Sequence, residues 1–259
     1  MELKIVSDVH GAYLDLARQL APGDTLIMLG DYVNLIDFFS LEGLLTELFT
    51  QKEIRQVLEW IGCRQKAKAR DFIKRFTHPE GDRYQEAVEL IKGAYAEMGC
   101  RINCKTYMLY GNTDYPLLLQ EALSAKDNFS LMDGNTIELN GLKIGFVSGS
   151  PPTPWTFSLP GVVEEEEFHA KIASLGPVDI LCSHVPPSLS ELSYDTVARR
   201  DEVGSPALLA YIKEYQPKWV FFGHVHNPLK LRLTLNTSQL INVGYFRQHK
   251  QIYSLKFND

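Results

Sequence analysis

The chain has 259 residues, 45% of them hydrophobic and 22% charged, the balance of an ordinary globular protein. Its formal net charge of -6, from 26 basic and 32 acidic residues, opposes a nucleic-acid partner held mainly through backbone phosphates. No apolar run is long enough to span a bilayer, and the N-terminus lacks the basic start and apolar stretch of a secretory leader, so no membrane span is expected and a cytoplasmic location follows. The four cysteines, Cys63, Cys100, Cys104 and Cys182, are scattered; as reduced thiols packed like small apolar groups they fit the same compartment.

In chain order, Leu3–Ser7 is a short β-rich run and Thr25–Leu29 a nearly all-apolar one, the pattern of a strand covered on both faces. Residues 40–100 differ. Ile54, Val57, Leu58 and Ile61 recur at helical spacing, as do Ala69, Phe72, Ile73 and Phe76, then Tyr84, Ala87, Val88, Ile91, Tyr95 and Met98. Strands are expected again at 105–110, 136–139, 143–147, 178–183, 219–222, 229–235, 240–243 and 252–257, with Asn140-Gly141 as a hairpin turn. Glu164–Glu167 reads as the acidic N-terminus of a helix, and Ser205-Pro206 as an N-cap with proline at the first helical position. The expected organisation is one domain, 1–259, of α/β class, with a helical insertion at 40–100 that serves as a lid or an interface.

Polar residues gather where strands end. Asp8-Val-His10 follows the first strand, Gly30-Asp31 the second, and Gly111-Asn112-Thr113-Asp114 the third. Ser183-His184 and Gly223-His224-Val-His226 follow two later ones. Ligand sites of α/β sheets lie at the carboxyl ends of strands. A lone histidine is more often structural, and a lone Gly-Asp a common turn. Five such junctions, all with oxygen and nitrogen donors and no thiolate, point to a metal site that suits Mn²⁺, Fe or Zn²⁺ better than Ca²⁺. Alternate residues of an extended strand share a face, so each D-x-H or H-x-H pair is expected to point one way.

These residues, in this order, resemble the calcineurin-like metallophosphoesterase superfamily, whose pattern is D-x-H, G-D, G-N-H-[DE], H and G-H-x-H. The resemblance implies a four-layer αββα sandwich of two mixed β-sheets. It also implies two divalent metal ions, Mn²⁺ first and Fe, Zn²⁺, Ni²⁺ or Mg²⁺ as alternatives. One ion would take Asp8, His10, Asp31 and His226; the other Asp31 as a bridge, Asn112, His184 and His224. A hydroxide bridging the metals would attack phosphorus in a small phosphate ester. Asp31, Asn112 and Asp114 form the expected catalytic set, Asp114 as loop support rather than ligand. A homo-oligomer remains open.

Two departures narrow this. Thr113 stands where the family carries His, and a threonine hydroxyl donates no useful proton near pH 7. The resemblance therefore leans toward a phosphodiesterase acting on acidic leaving groups, in a branch that lacks this His. His78, His169 and His249 are the histidines left as substitute acids. Second, Asn34-Leu35 replaces the Asp-Arg of the Ser/Thr protein phosphatases, whose arginine clamps phosphate. Arg199-Arg200 is the other cationic pair that could approach an anion. The alternatives are a phosphomonoesterase or nucleotidase, and a non-catalytic metal-binding scaffold of the same fold.

Overall fold

The computed structural model describes residues 2–37, 40–152, 159–202 and 204–256. The first half runs β1 (Glu2–Val6), α1 (Tyr13–Ala17), β2 (Thr25–Met28), α2 (Leu45–Leu48), α3 (Gln51–Gly62), α4 (Lys66–Thr77), α5 (Tyr84–Arg101), β3 (Lys105–Met108), α6 (Pro116–Leu123) and β4 (Phe129–Leu131). The second half runs β5 (Thr136–Leu139), β6 (Leu142–Val147), α7 (Glu165–Ser174), β7 (Ile180–Ser183), α8 (Ser190–Ser193), β8 (Tyr194–Asp195), β9 (Arg200–Asp201), α9 (Pro206–Tyr215), β10 (Trp219–Phe222), β11 (Arg232–Leu235), β12 (Ser238–Asn242), α10 (Phe246–His249) and β13 (Tyr253–Lys256).

Two mixed sheets result. The first has strand order β13-β1-β2-β3-β4, parallel except for β13; the second has order β11-β12-β10-β7-β6-β5, parallel except for its two edges. Strand alternation sorts the apolar residues. Leu3, Ile5, Ile27 and Leu29 of the first sheet meet Ile144, Phe146, Ile180, Cys182 and Phe221 of the second in a core between the sheets. Their neighbours Val6, Leu26, Met28, Leu181, Val220 and Phe222 face the other way, into the helix layers. Runs that looked uniformly apolar are thus strands buried on both faces. The molecule is the mixed α/β sandwich that the sequence led one to expect, with α1, α5 and α6 packed together and α7 packed on α9 and β6.

Local signals explain most boundaries. Asn140 and Gly141 both take positive φ (52° and 74°), the type I′ geometry that joins β5 to β6. Ser205 accepts the Leu208 N–H at 3.1 Å, capping α9 ahead of Pro206. Thr50 and Glu53 form a reciprocal capping box at the start of α3. The helical stripes bury in most positions, Ile54 and Val57 on α3, all four apolar positions of α4, and Ala87, Ile91, Tyr95 and Met98 on α5, while Leu58, Ile61, Tyr84 and Val88 are half-buried. Leu229 and Leu231, expected within a strand, precede β11 and are 55% and 53% exposed. Phe38 and Phe39, beside the expected helical block, and Phe257, the end of the last expected strand, lie outside the described residues.

Candidate metal centre

Because β1, β2, β3, β7 and β10 are parallel within their sheets, their carboxyl ends bring residues near 8, 31, 112, 184 and 224 to one rim. The chain turns sharply there. Asp8, His10, Asp31 and His224 all have left-handed backbone, with φ of 55°, 40°, 56° and 66°. Such conformations cost about 1–3 kcal/mol each outside glycine and persist only where the surroundings hold them. The strands end at Val6 and Phe222, so the reason expected for side chains sharing a face fails: neither D-x-H nor H-x-H is extended strand. The turns bring Asp8 and His10 together nonetheless, whereas His224 and His226 face different neighbours.

Glycines make the close approach possible. A Cβ on Gly111 would lie 2.2 Å from Asp31 Oδ1 and 2.7 Å from His184 Cε1; one on Gly223 would lie 2.3 Å from Asp8 Oδ2. Gly30, at φ 97°, has the Gly111 backbone nitrogen 2.4 Å from where its Cβ would be.

Two contiguous donor clusters follow. In one, His226 Nε2 is 3.3 Å from Asp8 Oδ1, and His10 Nε2 is 3.8 Å from both Asp8 Oδ1 and Asp31 Oδ2. In the other, Asn112 Oδ1 lies 3.0 Å from His184 Nε2 and 2.9 Å from His224 Nδ1, with 3.3 Å between those nitrogens. His184 Nε2 is also 3.5 Å from Asp31 Oδ1. The two oxygens of Asp31 therefore face one cluster each. Ligands at about 2.1 Å around a tetrahedral ion are about 3.4 Å apart, and the spacings here, 2.9 to 3.8 Å, bracket that value.

Ring orientation is fixed from behind. His10 donates Nδ1–H to the Val33 carbonyl at 3.1 Å and His184 donates Nδ1–H to Leu29 at 2.8 Å, leaving each Nε2 directed at the cluster. Among the described residues, Asp8 Oδ1, His10 Nε2 and His224 Nε2 are buried and make no hydrogen bond. Orphaned buried polar atoms are rare and call for a partner. Burial opposes the charge on Asp31, but His184 and His10 overcome it and hold the carboxyl well below the usual range. Burial likewise opposes the charge on His184, yet Asp31 and Asp8 lift it to about 9, while burial and His184 depress His224 to about 3. Asp31 and His184 thus hold opposite charges against burial, and the donor set of two carboxylates, four imidazoles and an amide oxygen fits a divalent pair.

Asp114 is placed differently from a catalytic group. It is fully buried, and its Oδ2 accepts the N–H groups of Asp31 (2.8 Å) and Gly111 (2.9 Å) while Oδ1 accepts that of Tyr32 (3.0 Å). The Tyr95 hydroxyl of α5 donates to Oδ1 at 3.2 Å and accepts the Tyr115 N–H at 2.8 Å. Asp114 thus positions the Asp31 turn, and it does not line the pocket. Tyr95, which the sequence showed only as one member of a core stripe, ties the helical block to that turn.

A cavity of about 600 Å³ opens over the clusters, lined by His10, Asp31, Asn112, Thr113, His224 and His226 and by a second wall from Asn34, Ile36, Asp37, the 195–202 segment, Tyr245 and Gln248. Asp8 and His184, 1% and 0% exposed, lie beneath these residues and are not part of the lining. Tyr245 stacks on His226 with ring centroids 3.8 Å apart and planes 7° from parallel. Leu35 is buried rather than facing the cavity, in keeping with the missing phosphate-clamping arginine. Arg200 lines the cavity and Arg199 does not; His78, His169 and His249 are also absent from its lining.

Residues 1–228 match the model of the calcineurin-like phosphoesterase domain. The chain belongs to the calcineurin-like phosphoesterase family. It is accordingly a phosphoester hydrolase by family, and the family binds a dinuclear divalent metal site. One solved structure superposes over 99% of both chains with a TM-score of 0.63 at 16% identity, a likeness of fold alone. An archaeal phosphodiesterase (13% identity, 99% of this chain, 93% of that one) has a TM-score of only 0.41. A Staphylococcus aureus putative 5'-nucleotidase (14% identity, 94% of this chain, 48% of that one) has one of 0.43. Neither likeness bears on activity. No curated protein matches the chain. No helix among the described residues is long and apolar enough to cross a membrane.

Proposed function

We propose that this calcineurin-like phosphoesterase is a metal-dependent phosphodiesterase, with Asp8, His10, Asp31 and His226 holding one divalent ion and Asp31, Asn112, His184 and His224 the other. The observation that carries the reading is the division of Asp31, whose two carboxylate oxygens each face a separate donor cluster. Two ions held there, Mn²⁺ by preference, would supply Lewis acidity and water activation. The chain's own residues do the rest. Asp114 and the glycine contacts fix the Asp31 turn, and His10 and His184 are oriented by backbone carbonyls.

Thr113 narrows the substrate. Its Oγ1 is buried and unpartnered at the cavity wall, so it can hydrogen-bond a phosphate oxygen but not protonate an alkoxide. No other described histidine outside the donor clusters lines the cavity. Diesters with acidic leaving groups are the substrates that need no such acid. The helical block belongs with the single domain through Tyr95, and the four free cysteines suit a reducing, cytoplasmic setting.

The test is metal content together with hydrolysis of bis-p-nitrophenyl phosphate in Mn²⁺. About two ions per chain and turnover that Asp31→Ala abolishes are expected. Substoichiometric metal, with Asp31→Ala behaving as the parent, would favour a non-catalytic scaffold; faster turnover of p-nitrophenyl phosphate than of the diester would favour a phosphomonoesterase.

A further inference from the structure

The second wall of the cavity differs in chemistry from the donor clusters. Its core is the hairpin of β8 and β9, which is locked in place rather than loose. Asp195, 6% exposed, accepts the N–H groups of Val197 and Ala198 at 2.8 Å each and that of Asn227 at 3.1 Å. Thr196 adds two hydrogen bonds to the Asn227 carbonyl, from its N–H at 2.9 Å and its hydroxyl at 3.0 Å. The hairpin is thereby tied to the loop that carries His226, and it presents Val197, 57% exposed, at the cavity.

Among the described lining residues Arg200 is the one permanent cation, and it donates to Glu202 at 2.7 Å. A second anionic group would find Arg200 already paired with Glu202 and no other permanent cation among the described lining residues. Ile36, Val197, Ala198 and Tyr245 supply its apolar part, beside the polar Asn34 and Gln248. A single exposed valine needs no explanation. An apolar strip on a fixed hairpin, facing the position of a reacting phosphate and lacking any unmatched cation, does.

Building on the phosphodiesterase reading, we propose that the substrate is a phosphodiester carrying one negative charge, at phosphorus, whose retained organic group is apolar and packs against Ile36, Val197 and Ala198. Hydrolysis adds water to phosphorus and breaks the bond to the leaving oxygen, which departs as the alcohol or phenolate. The apolar group stays on the monoester product. Polyphosphates and sugar phosphates, which bring a second charge to this wall, are excluded by the same chemistry.

A series of alkyl p-nitrophenyl phosphates tests this at constant charge and leaving group. From methyl to hexyl, kcat/KM is expected to rise by tenfold or more overall, each fully buried methylene being worth at most about fourfold. Val197→Ser and Ile36→Ser are expected to shrink the hexyl-to-methyl ratio, and circular dichroism establishes that each variant is folded. Calorimetry on the Mn²⁺-loaded protein gives a readout without turnover: dibutyl phosphate is expected to bind roughly tenfold more tightly than dimethyl phosphate. A series that is flat in both measurements, or a preference for carboxyalkyl over alkyl groups, overturns the apolar subsite and leaves diester hydrolysis standing. Absence of turnover on every diester overturns both readings.

Discussion

A methyl group at Gly111 would probe the cradle without removing a single donor. The position is not in the left-handed region, so alanine is conformationally allowed and its effect is steric. Its Cβ would stand 2.2 Å from Asp31 Oδ1, 2.7 Å from the Asp31 backbone nitrogen and 2.7 Å from His184 Cε1. Relief to ordinary contact requires a shift of about 1 Å or more in the shared carboxylate, the ring, or both. Overpacking of this kind costs about 1–3 kcal/mol, or roughly 2–12 °C in Tm for a chain of this size. A 1 Å misplacement in a catalytic constellation costs about 10²-fold in rate. Gly111→Ala is therefore expected to lose metal on dialysis and to hydrolyse bis-p-nitrophenyl phosphate about 10²-fold more slowly, while remaining folded. Gly93→Ala is the matched control. It lies mid-helix in open space and should gain about 0.8–1 kcal/mol with metal content and rate intact. A Gly111→Ala protein with full metal occupancy and parental kcat/KM would refute the placement of Asp31 between two donor sets.

Three further outcomes are expected. Asp114→Asn turns an NH₂ toward backbone N–H donors in either orientation of the amide, leaving at least one buried N–H unsatisfied; a loss of about 1–3 kcal/mol in urea unfolding checks it, together with weakened metal retention. Mn²⁺ at a hundredfold its Kd should stabilise the chain by about 2.7 kcal/mol, raising Tm by about 5–11 °C, and Asp31→Ala should abolish that increment in a thermal-shift assay. Thr113→His should raise turnover of diesters with alkyl leaving groups by up to about 10²-fold and change p-nitrophenyl diesters little; equal effects on both would refute the missing-acid explanation.

Legibility in the sequence divides along physical lines. Parallel strands announce themselves by apolar runs that stop at Gly, Asp or His, so every donor residue could be picked out. What could not be read was how those donors come to face one another. The left-handed turns at Asp8, His10, Asp31 and His224 are set by backbone hydrogen bonds to other strand ends, such as His10 N–H to the Asp31 carbonyl at 3.0 Å, and not by local alternation. Asp114 was legible as loop support within the expected catalytic set, but not its partners, the Tyr32 N–H and the Tyr95 hydroxyl, which are distant in sequence. Strand β4, three half-buried residues at a sheet edge, offers too few positions for any period to show. Helix α1 lacks a side-chain cap, and α6 is short, its sequence signal being Pro116 at the first turn. Asp195 was missed because its partners are main-chain amides.

The spread of the donors along the chain bears on biosynthesis. Asp8 and His226 are 3.3 Å apart in space but separated by nearly the whole polypeptide, and β13 closes the first sheet beside β1 only at the end of the described chain. No metal pair can be caged on the ribosome until the segment carrying His226 has emerged. At about 5–20 residues per second, the acidic turns at Asp8 and Asp31 then wait at least roughly ten seconds for His226, with His10 beside them from the start. Filling of the proposed two-metal site would therefore be a late event, coupled to docking of the second sheet onto the first rather than to synthesis of either one.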